Sequence, residues 1–360
     1  MSDASSAELA RRKAEHVALG LAEASQDRAP AAWREVHLVP SCLPAGPPDQ
    51  IAIHTTLLGR SLAAPLCVAG MTGGHPDGHL INARLARAAE RYGLALGVGS
   101  QRVALRDASL APTFAVVRQV ADPPLVLANL GVSQLLGGDR GRAAGDVARA
   151  VEMVRADALA VHLNALEELV QPEGDALSGR WLEALAAAVA DSPVPIVAKE
   201  TGAGMDRCSV RRMIEVGVAA VDVGGRGGTS FARIEAERAQ RAGDVRRHRL
   251  GLAFADWGLP TPISVLEARG QGVPVIASGG VRTGIDAAKA LALGADLVAI
   301  GRPLLAAAVG GEAALADAVE QFLDELRCAM TLSGAASIAD LRAQPVVLDG
   351  LSARWSRQRS

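Results

Sequence analysis

Short apolar runs recur along the chain, and most of them are followed by Gly, Ser, Asn or Thr. Continuous apolar runs of this length are typical of strands covered on both faces, as in parallel sheets. Ala- and Arg-rich stretches with helical spacing, such as TGIDAAKALALGA, separate the runs. Strand–helix repetition of this kind predicts an α/β fold, a (β/α)8 TIM barrel. The eight predicted strands cover residues 65–71, 94–100, 125–131, 158–164, 195–202, 219–225, 274–280 and 297–303.

Three segments depart from the repeat. Residues 1–60 are expected to form an N-terminal arm with a small strand or two, followed by the barrel over residues 61–335. A long, highly charged loop over residues 226–262 is expected on the catalytic face, because barrel loops are free to elaborate there. The charge density of this loop predicts mobility, with ordering by a bound ligand as the alternative. The end of the C-terminal tail (336–360), LDGLSARWSRQRS, is expected to fray.

Composition limits the classes of function. About half of the residues are hydrophobic (49%), so a large core needs no disulfides. The formal net charge of −2 gives no electrostatic reason to expect nucleic acid or an anionic membrane as partner. Four scattered cysteines without a CxxC pair indicate reduced thiols and a cytoplasmic protein. Neither a leader-like apolar segment nor a membrane-length apolar run is visible, which predicts a soluble chain.

The residues just after the predicted strands are polar or glycine. In a (β/α)8 barrel these positions line one mouth, where catalytic residues meet. ASGGVRTG follows the seventh strand and AIGRP the eighth, the place where barrels commonly bind a phosphate group through backbone N–H groups. The alternative interpretation is a pair of tight turns. The collection favours an enzyme with a phosphate-bearing ligand, and flavin mononucleotide (FMN) is one such ligand.

Two further stretches carry candidate chemistry. Lys199, at the end of the fifth strand, is expected to contact a flavin ring edge or to form a Schiff base with a carbonyl substrate; a structural ion pair with Glu200 or another carboxylate is the alternative. HLNALEELVQPEGD (162–175) concentrates ionisable groups behind an apolar strand. We interpret it as part of a site rather than a solvated loop, with Glu173 and Asp175 as its weaker members.

The motifs MTGG, GSQR, ANLG, HLN…PEGD, VAKETGAG, GGRGGTSFARIE, DWGLPT and ASGGVRTGIDAAKALALGAD occur in one order over nearly the whole chain. In this order the chain resembles the type 2 isopentenyl diphosphate isomerases, and RRKAEH resembles the substrate-binding arm of that family. The resemblance implies an FMN enzyme that interconverts isopentenyl and dimethylallyl diphosphate. It also implies reduced flavin, Mg²⁺, NAD(P)H as reductant, and a homotetramer or homo-octamer.

The strand ends and the resemblance together predict the site residues. The predicted FMN contacts are Met71, Thr72, Gly73, Gly74, Ser100, Asn129, Lys199, Gly224, Thr229, Gly279, Gly280, Val281, Arg282, Gly301 and Arg302. The predicted substrate contacts are Arg12, Lys13, His16, Ser100, Gln101, Arg102, Asn164 and Glu167. The resemblance assigns the metal to Glu168, and the candidate catalytic residues are Glu167, His162 and Lys199.

The chain departs from the family pattern at three places. Glu167 stands where the family usually has glutamine, Gly224 where it often has serine, and Thr201 where it usually has valine. A second carboxylate beside Glu168 is either protonated or costly, so Glu167 puts the usual proton transfer in question. Two alternatives therefore stay open: an FMN-dependent barrel oxidoreductase or altered homologue acting on another prenyl or phosphorylated substrate, and a non-catalytic binder of flavin or prenyl diphosphate.

Overall fold

A computed structural model describes residues 6–27, 32–136, 140–171, 177 and 179–359, with side chains from Lys13 onward. Within these residues the strands form a closed parallel barrel and two small antiparallel pairs. The strands are Val36–Leu38 (β1), Thr55–Leu57 (β2), Arg60–Leu62 (β3), Leu66–Val68 (β4), Ala95–Gly97 (β5), Leu125–Gly131 (β6), Ala158–Leu163 (β7), Ile196–Glu200 (β8), Ala220–Asp222 (β9), Val275–Ser278 (β10), Leu297–Ile300 (β11) and Val346–Leu348 (β12).

The barrel closes in the order β4-β5-β6-β7-β8-β9-β10-β11, with β11 pairing back to β4. Every predicted strand falls on one of these, so the (β/α)8 prediction is confirmed. The register aligns His162 with Lys199 and Lys199 with Asp222 on adjacent strands. Three polar side chains are thereby brought side by side at the carboxyl ends of the strands.

Helices fill the intervals between the strands and flank both ends of the chain. They are Ser6–Leu21 (α1), Gly78–Arg91 (α2), Arg102–Arg106 (α3), Pro112–Ala115 (α4), Val132–Leu136 (α5), Arg140–Val154 (α6), Ala165–Val170 (α7), Trp181–Asp191 (α8), Arg207–Glu215 (α9), Phe231–Arg241 (α10), Val245–Ala253 (α11), Thr261–Ala268 (α12), Gly284–Ala292 (α13), Arg302–Gly310 (α14), Glu312–Leu332 (α15), Ile338–Ala343 (α16) and Gly350–Arg359 (α17). Among the described helices, none combines the length and the apolar character needed to cross a membrane.

The apolar core has two parts. The larger one lies between the strands and the surrounding helices and takes in the buried faces of α2, α6 and α13. The smaller one fills the barrel interior, where Leu57 and Leu62 of the β2–β3 hairpin pack with Cys67 and Leu125. The hairpin therefore closes the bottom of the barrel. Burial raises the pKa of the Cys67 thiol to about 12, so this cysteine is an inert packing residue.

The two ends of the chain meet outside the barrel. Strand β1 pairs antiparallel with β12, His37 opposite Val347. The prediction of a fraying tail is wrong, because α17 is anchored: Trp355 Nε1 donates to Glu267 Oε1 at 2.9 Å, and the Arg359 guanidinium bonds both carboxylate oxygens of that residue. Glu267 is almost fully buried, and a buried carboxylate needs such donors.

The segment predicted as a long mobile loop contains two helices, α10 and α11, which pack on each other. Its charged side chains form ion pairs, as where Arg233 Nη2 donates to Asp256 at 2.8 Å. Gly251 makes the close approach possible, since a Cβ there would lie 2.8 Å from the Ala232 carbonyl. The sequence pattern missed these helices because their surfaces are so highly charged.

Candidate functional site

A cavity of about 260 Å³ opens at the carboxyl ends of the barrel strands. Residues of α1, of the strand ends and of the loops after β9, β10 and β11 line it, as the barrel geometry requires. The structure brings together most of the residues that the sequence pointed to. Those that line the cavity are Lys13, His16, Met71, Ser100, Asn129, His162, Glu167, Lys199, Gly224, Thr229, Gly279, Gly280, Val281, Arg282, Gly301 and Arg302.

One side of the cavity is built from backbone, and we call residues 279–281 and 301–302 the glycine rim. Helix α14 begins at this rim, and its N-cap, Gly301, offers no side chain to the first N–H groups. Helix α13, by contrast, is capped by Thr283 Oγ1, and its Gly284 N–H donates to Glu325 at 2.7 Å. An uncapped helix N-terminus beside glycine backbone is suited to an anion such as phosphate. The rim therefore has the form of a phosphate site at α14.

The segment after α1 lies across the mouth. Asp27 N–H donates to the Gly228 carbonyl at 2.7 Å, and Ser230 N–H donates to the Ser25 carbonyl at 2.8 Å. Gln26 is buried and links two loops, donating to Thr229 Oγ1 at 3.2 Å and accepting from Arg282 at 3.3 Å. The N-terminal arm is thus fixed over the cavity by hydrogen bonds to the loops after β9 and β10.

A lysine and an aspartate form the floor. Lys199 Nζ donates to Asp222 Oδ2 at 2.8 Å and to the Glu200 carbonyl at 3.2 Å. The other carboxylate oxygen of Asp222 accepts from the Ser278 hydroxyl. The ion-pair alternative for Lys199 is therefore realised, but with Asp222, while Lys199 still lines the cavity. Sequence reasoning missed Asp222, although a lone acid inside the apolar run AAVDVGG was a usable signal.

His162 is held in one tautomer. Asn129 Nδ2 donates to the Val98 carbonyl at 3.0 Å, which fixes the orientation of the amide, so Asn129 Oδ1 accepts from His162 Nδ1 at 2.8 Å. The neutral imidazole then carries its proton on Nδ1 and a lone pair on Nε2. Gln101 supports the pair from behind, because its Oε1 accepts from the Asn129 N–H at 2.9 Å.

Glu200 organises the loop after β8. Its Oε2 accepts from the backbone N–H groups of Gly202, Ala203 and Gly204 at 2.5 to 3.1 Å. Enclosure of the carboxyl raises the pKa of Glu200 to about 7, with the backbone donors opposing the shift. The same loop explains the departure at Gly224, which has φ +48°: a Cβ there would lie 2.0 Å from the Glu200 carbonyl oxygen. A serine does not fit at this position of the present chain.

The two adjacent glutamates of α7 point to different environments. Glu167 lines the cavity, whereas Glu168 is buried beside it, 7% exposed. Asn164 Nδ2 donates to Glu168 Oε1 at 3.1 Å and to Glu167 Oε2 at 3.3 Å, and Gln171 Nε2 donates to Glu168 Oε2 at 2.8 Å. In the described part of the chain, the amide oxygens of Asn164 and Gln171 are buried without a hydrogen-bond partner. Sequence reasoning did not single out Gln171.

Helix α1 is joined to α10 by a buried network. His16 Nε2 lies 2.7 Å from Glu235 Oε1, and Arg238 Nη1 donates to Glu235 Oε2 at 2.6 Å. Arg238 also donates to Glu15 of α1 at 3.1 Å. Glu235 is fully buried and was not among the predicted residues. Its partner in α1 is 219 positions away, so no local pattern could reveal the pair.

Some predicted residues take places behind the lining. Thr72 is buried and its hydroxyl meets His75 Nε2 at 3.0 Å. A Cβ at Gly73 would collide with Phe114, and one at Gly74 with Val103, so these glycines serve close packing. The Gln101 amide donates to the Ala150 carbonyl at 2.9 Å. The Arg12 side chain, Glu173 and Asp175 lie outside the described residues, and Arg102 opens α3, which packs near α1.

Comparison with known proteins identifies the relatives of the chain. It is 46% identical to an isopentenyl-diphosphate delta-isomerase of Methanoregula boonei over 341 residues, and this aligned region covers 94% of each chain. The isopentenyl-diphosphate delta-isomerase of Archaeoglobus fulgidus is 41% identical over 345 residues, which is 96% of this chain and 97% of that one.

The FMN-dependent dehydrogenase family matches residues 176–348. Among solved structures, a Pediococcus acidilactici protein described as a lactate oxidase superposes with a TM-score of 0.67 at 18% identity, covering 97% of this chain and 96% of that one. A mandelate oxidase gives 0.58 at 21% identity, covering 95% and 99%. At these identities the two structures confirm the barrel alone. The near full-length relatives show more, and the family resemblance read from the motifs is confirmed: the chain belongs to the type 2 isopentenyl-diphosphate delta-isomerase family.

Proposed function

We propose that this protein interconverts isopentenyl and dimethylallyl diphosphate, using reduced FMN and Mg²⁺, with NAD(P)H as the reductant of the flavin. The observation that carries the proposal is the cavity itself. It joins a backbone anion site at the glycine rim to a lysine floor and to ionisable groups at the opposite side. Membership of the isomerase family selects the reaction from those that such a cavity permits.

The residues present fit FMN. The uncapped start of α14 and the glycine rim are suited to its phosphate, and Lys199 and Asn129 line the part of the cavity below the rim. At this rim the backbones of Gly228 and Gly280 approach each other closely, since a Cβ at Gly228 would lie 2.7 Å from the Gly280 nitrogen. Reduced FMN would supply an electron-rich ring facing the alkene. The Lys199 ammonium, held by Asp222, places a positive charge at the floor.

The residues present also fit Mg²⁺. Glu168 offers a carboxylate, and the partnerless amide oxygens of Asn164 and Gln171 lie on the two residues that bond it. Hard cations such as Mg²⁺ prefer oxygen ligands of this kind. With rotation of the amides, Glu168, Asn164 and Gln171 would hold the ion, and substrate oxygens would complete its coordination.

The substrate diphosphate requires cations. Lys13 lines the cavity, and by family resemblance Arg12 and Arg102 complete the set. The hydrocarbon end would then lie toward Glu167, with water excluded by the arm. Moving the double bond requires one proton added and another removed. Glu167 is placed to hold and return a proton at its carboxylate, and the His162 ring, oriented by Asn129, lines the same cavity.

The test begins with the purified protein, which should be yellow or take up FMN. Isopentenyl diphosphate is then added anaerobically with Mg²⁺ and a limiting amount of NADPH, and the products are followed by NMR. Many turnovers to dimethylallyl diphosphate per NADPH consumed are expected. Stoichiometric consumption of NADPH with substrate would instead establish an oxidoreductase, and flavin binding without turnover would establish a binder.

Two matched variants separate the adjacent glutamates. Glu168→Gln should abolish activity at every Mg²⁺ concentration, because an amide replaces the anionic metal ligand. Glu167→Gln restores the family's usual amide and should keep the same Mg²⁺ requirement. Full activity with an unchanged Mg²⁺ requirement in Glu168→Gln would place the metal elsewhere. We also propose a homotetramer or homo-octamer, which light scattering of the FMN-loaded protein would measure.

A further inference from the structure

We propose a second metal site in this chain, formed by His16, Glu167 and Glu235, that binds a divalent transition-metal ion such as Mn²⁺ or Zn²⁺. It goes beyond the proposed function and does not rest on it; because both use Glu167, a bound ion would compete with the proton transfer proposed for that carboxylate. The three residues come from α1, α7 and α10, three helices that meet at the edge of the cavity. Each offers one ligand atom, and these three atoms all lie within 4.8 Å of one another.

The spacing suits a single ion. Ligand atoms at about 2.1 Å from a tetrahedral metal lie about 3.4 Å apart. The His16 Nε2 to Glu235 Oε1 distance is 2.7 Å, already a hydrogen bond that a metal would replace with release of its proton. Binding an ion would open the His16–Glu235 pair by less than about 1 Å and draw in the Glu167 carboxylate, which lines the open cavity within 4.8 Å of both. The fourth position would face the cavity and take water.

Two of the three ligands are already fixed by their surroundings. The His16 ring meets Phe231 edge to face, with ring centroids 6.2 Å apart. Glu235 is fully buried, and its second oxygen is held by Arg238 at 2.6 Å, which leaves Oε1 directed at His16. Groups held in this way bind metal with little loss of side-chain freedom, as supporting contacts do in known metal sites.

Ligand chemistry separates this site from the one at Glu168. An imidazole with two carboxylates favours Mn²⁺, Fe²⁺ or Zn²⁺, whereas the oxygen set of Glu168, Asn164 and Gln171 favours Mg²⁺. Asn164 donates to both Glu167 and Glu168, so the two sites would lie on either side of one amide. The third ligand of the new site is Glu167, the residue that replaces the family's glutamine. The site is therefore a property of this chain.

The experiment uses FMN-loaded protein stripped of metal with a chelator and then titrated with Mn²⁺ without substrate. Bound Mn²⁺ is measured by electron paramagnetic resonance, and Zn²⁺ is tested as its competitor. One tightly held Mn²⁺ per chain, displaced by Zn²⁺ and not by equimolar Mg²⁺, is expected. Glu167→Gln, which preserves shape, and His16→Gln should each weaken binding on the order of 100-fold. Retained FMN and unchanged melting temperature would show that both variants are folded.

Two controls make the result decisive. Glu168→Gln should retain the Mn²⁺ site, and so should His79→Ala, which removes an exposed histidine of α2. If Glu168→Gln abolished Mn²⁺ binding while Glu167→Gln kept it, the ion would belong to the Mg²⁺ site and the proposal would be overturned. Weak binding that is equal in all variants, an adventitious ion only, would overturn it as well. None of these outcomes depends on isomerase activity.

Discussion

The two sides of the cavity are built by different means. The glycine rim uses backbone N–H groups and a helix N-terminus, and it lies within two short stretches of sequence. The opposite side, which we call the carboxylate rim, presents Glu167 and Glu200, with Glu235 buried behind them. Glu167 and Glu200 have partners close by in sequence, whereas Glu235 meets His16, 219 positions away. A backbone site needs particular glycines and tolerates few substitutions, whereas a side-chain site can change its chemistry with one residue. The replacement of glutamine by Glu167 occurs on the second kind of rim.

The largest effect is expected from a substitution in the glycine rim. Gly280 has φ +69°, a conformation that Asp and Asn tolerate better than other side chains. Gly280→Asp puts a negative charge where the phosphate would bind, and we expect FMN affinity to fall on the order of 1,000-fold, about 4 kcal/mol. Gly280→Asn has the same shape without the charge and should retain most of the affinity. Fluorescence titration with FMN measures both, and equal losses would mean that shape rather than charge decides.

The floor joins the two rims, and its ion pair is largely buried, with the Lys199 side chain 14% exposed and that of Asp222 8% exposed. Asp222→Asn leaves the Lys199 ammonium without its carboxylate, so we expect the free energy of unfolding to drop by about 3 kcal/mol. Ser278→Ala removes only the hydroxyl donor to Asp222 and should cost about 1 kcal/mol. Urea unfolding of the flavin-free protein measures the two. If both variants lost the same amount, the ion pair would add nothing beyond one hydrogen bond.

The carboxylate rim should respond to pH. Glu200 holds its proton more tightly in the folded chain, with a pKa of about 7, than in the unfolded chain, near its ordinary 4.5. The folded state therefore binds more protons between these values, so the free energy of unfolding falls as pH rises from 4.5 to 7 and the loss is complete above 7.

Glu200→Gln removes this contribution. Relative to the variant, the parent should lose on the order of 2–3 kcal/mol across the same pH window. Thermal unfolding in a series of buffers measures the difference between the two proteins. Parallel stability curves from pH 4.5 to 8 would show that the carboxyl titrates normally.

The smallest effect is expected at Gln26, which bonds the loops after β9 and β10. Gln26→Ala removes the hydrogen bonds to Thr229 and Arg282 and should cost about 1 kcal/mol. FMN dissociation should become about fivefold faster, because the arm covers the mouth. Glu23→Ala removes only an exposed carboxylate that pairs with Arg302, while Arg302 stays held by the Leu21 carbonyl, so it should change the rate little. Stopped-flow dissociation compares the two.

The fold could be predicted from the sequence because every barrel strand is a local apolar run. The glycine rim could also be predicted locally, because ASGGVRTG and AIGRP are each recognisable as glycine-containing turns after a strand. Asp222 and Glu235 could not be predicted, because each looks like an isolated acid in the sequence. The barrel register brings Lys199 beside Asp222, and the packing of α1 on α10 brings His16 beside Glu235. The tail was misread because α17 depends on Glu267, a buried acid in another helix.

The pairing of β1 with β12 bears on the order in which the protein is made. Chains emerge from the ribosome N-terminus first, and early segments can fold before later ones exist. Strand β1, which lies within the arm, has its only strand partner in the described structure at Val346–Leu348, beyond all eight barrel strands. This part of the arm therefore stays without its strand partner until the whole barrel has been translated. All eight barrel strands precede β12 in the chain, so the barrel can close first and the pairing of β1 is added to it afterwards.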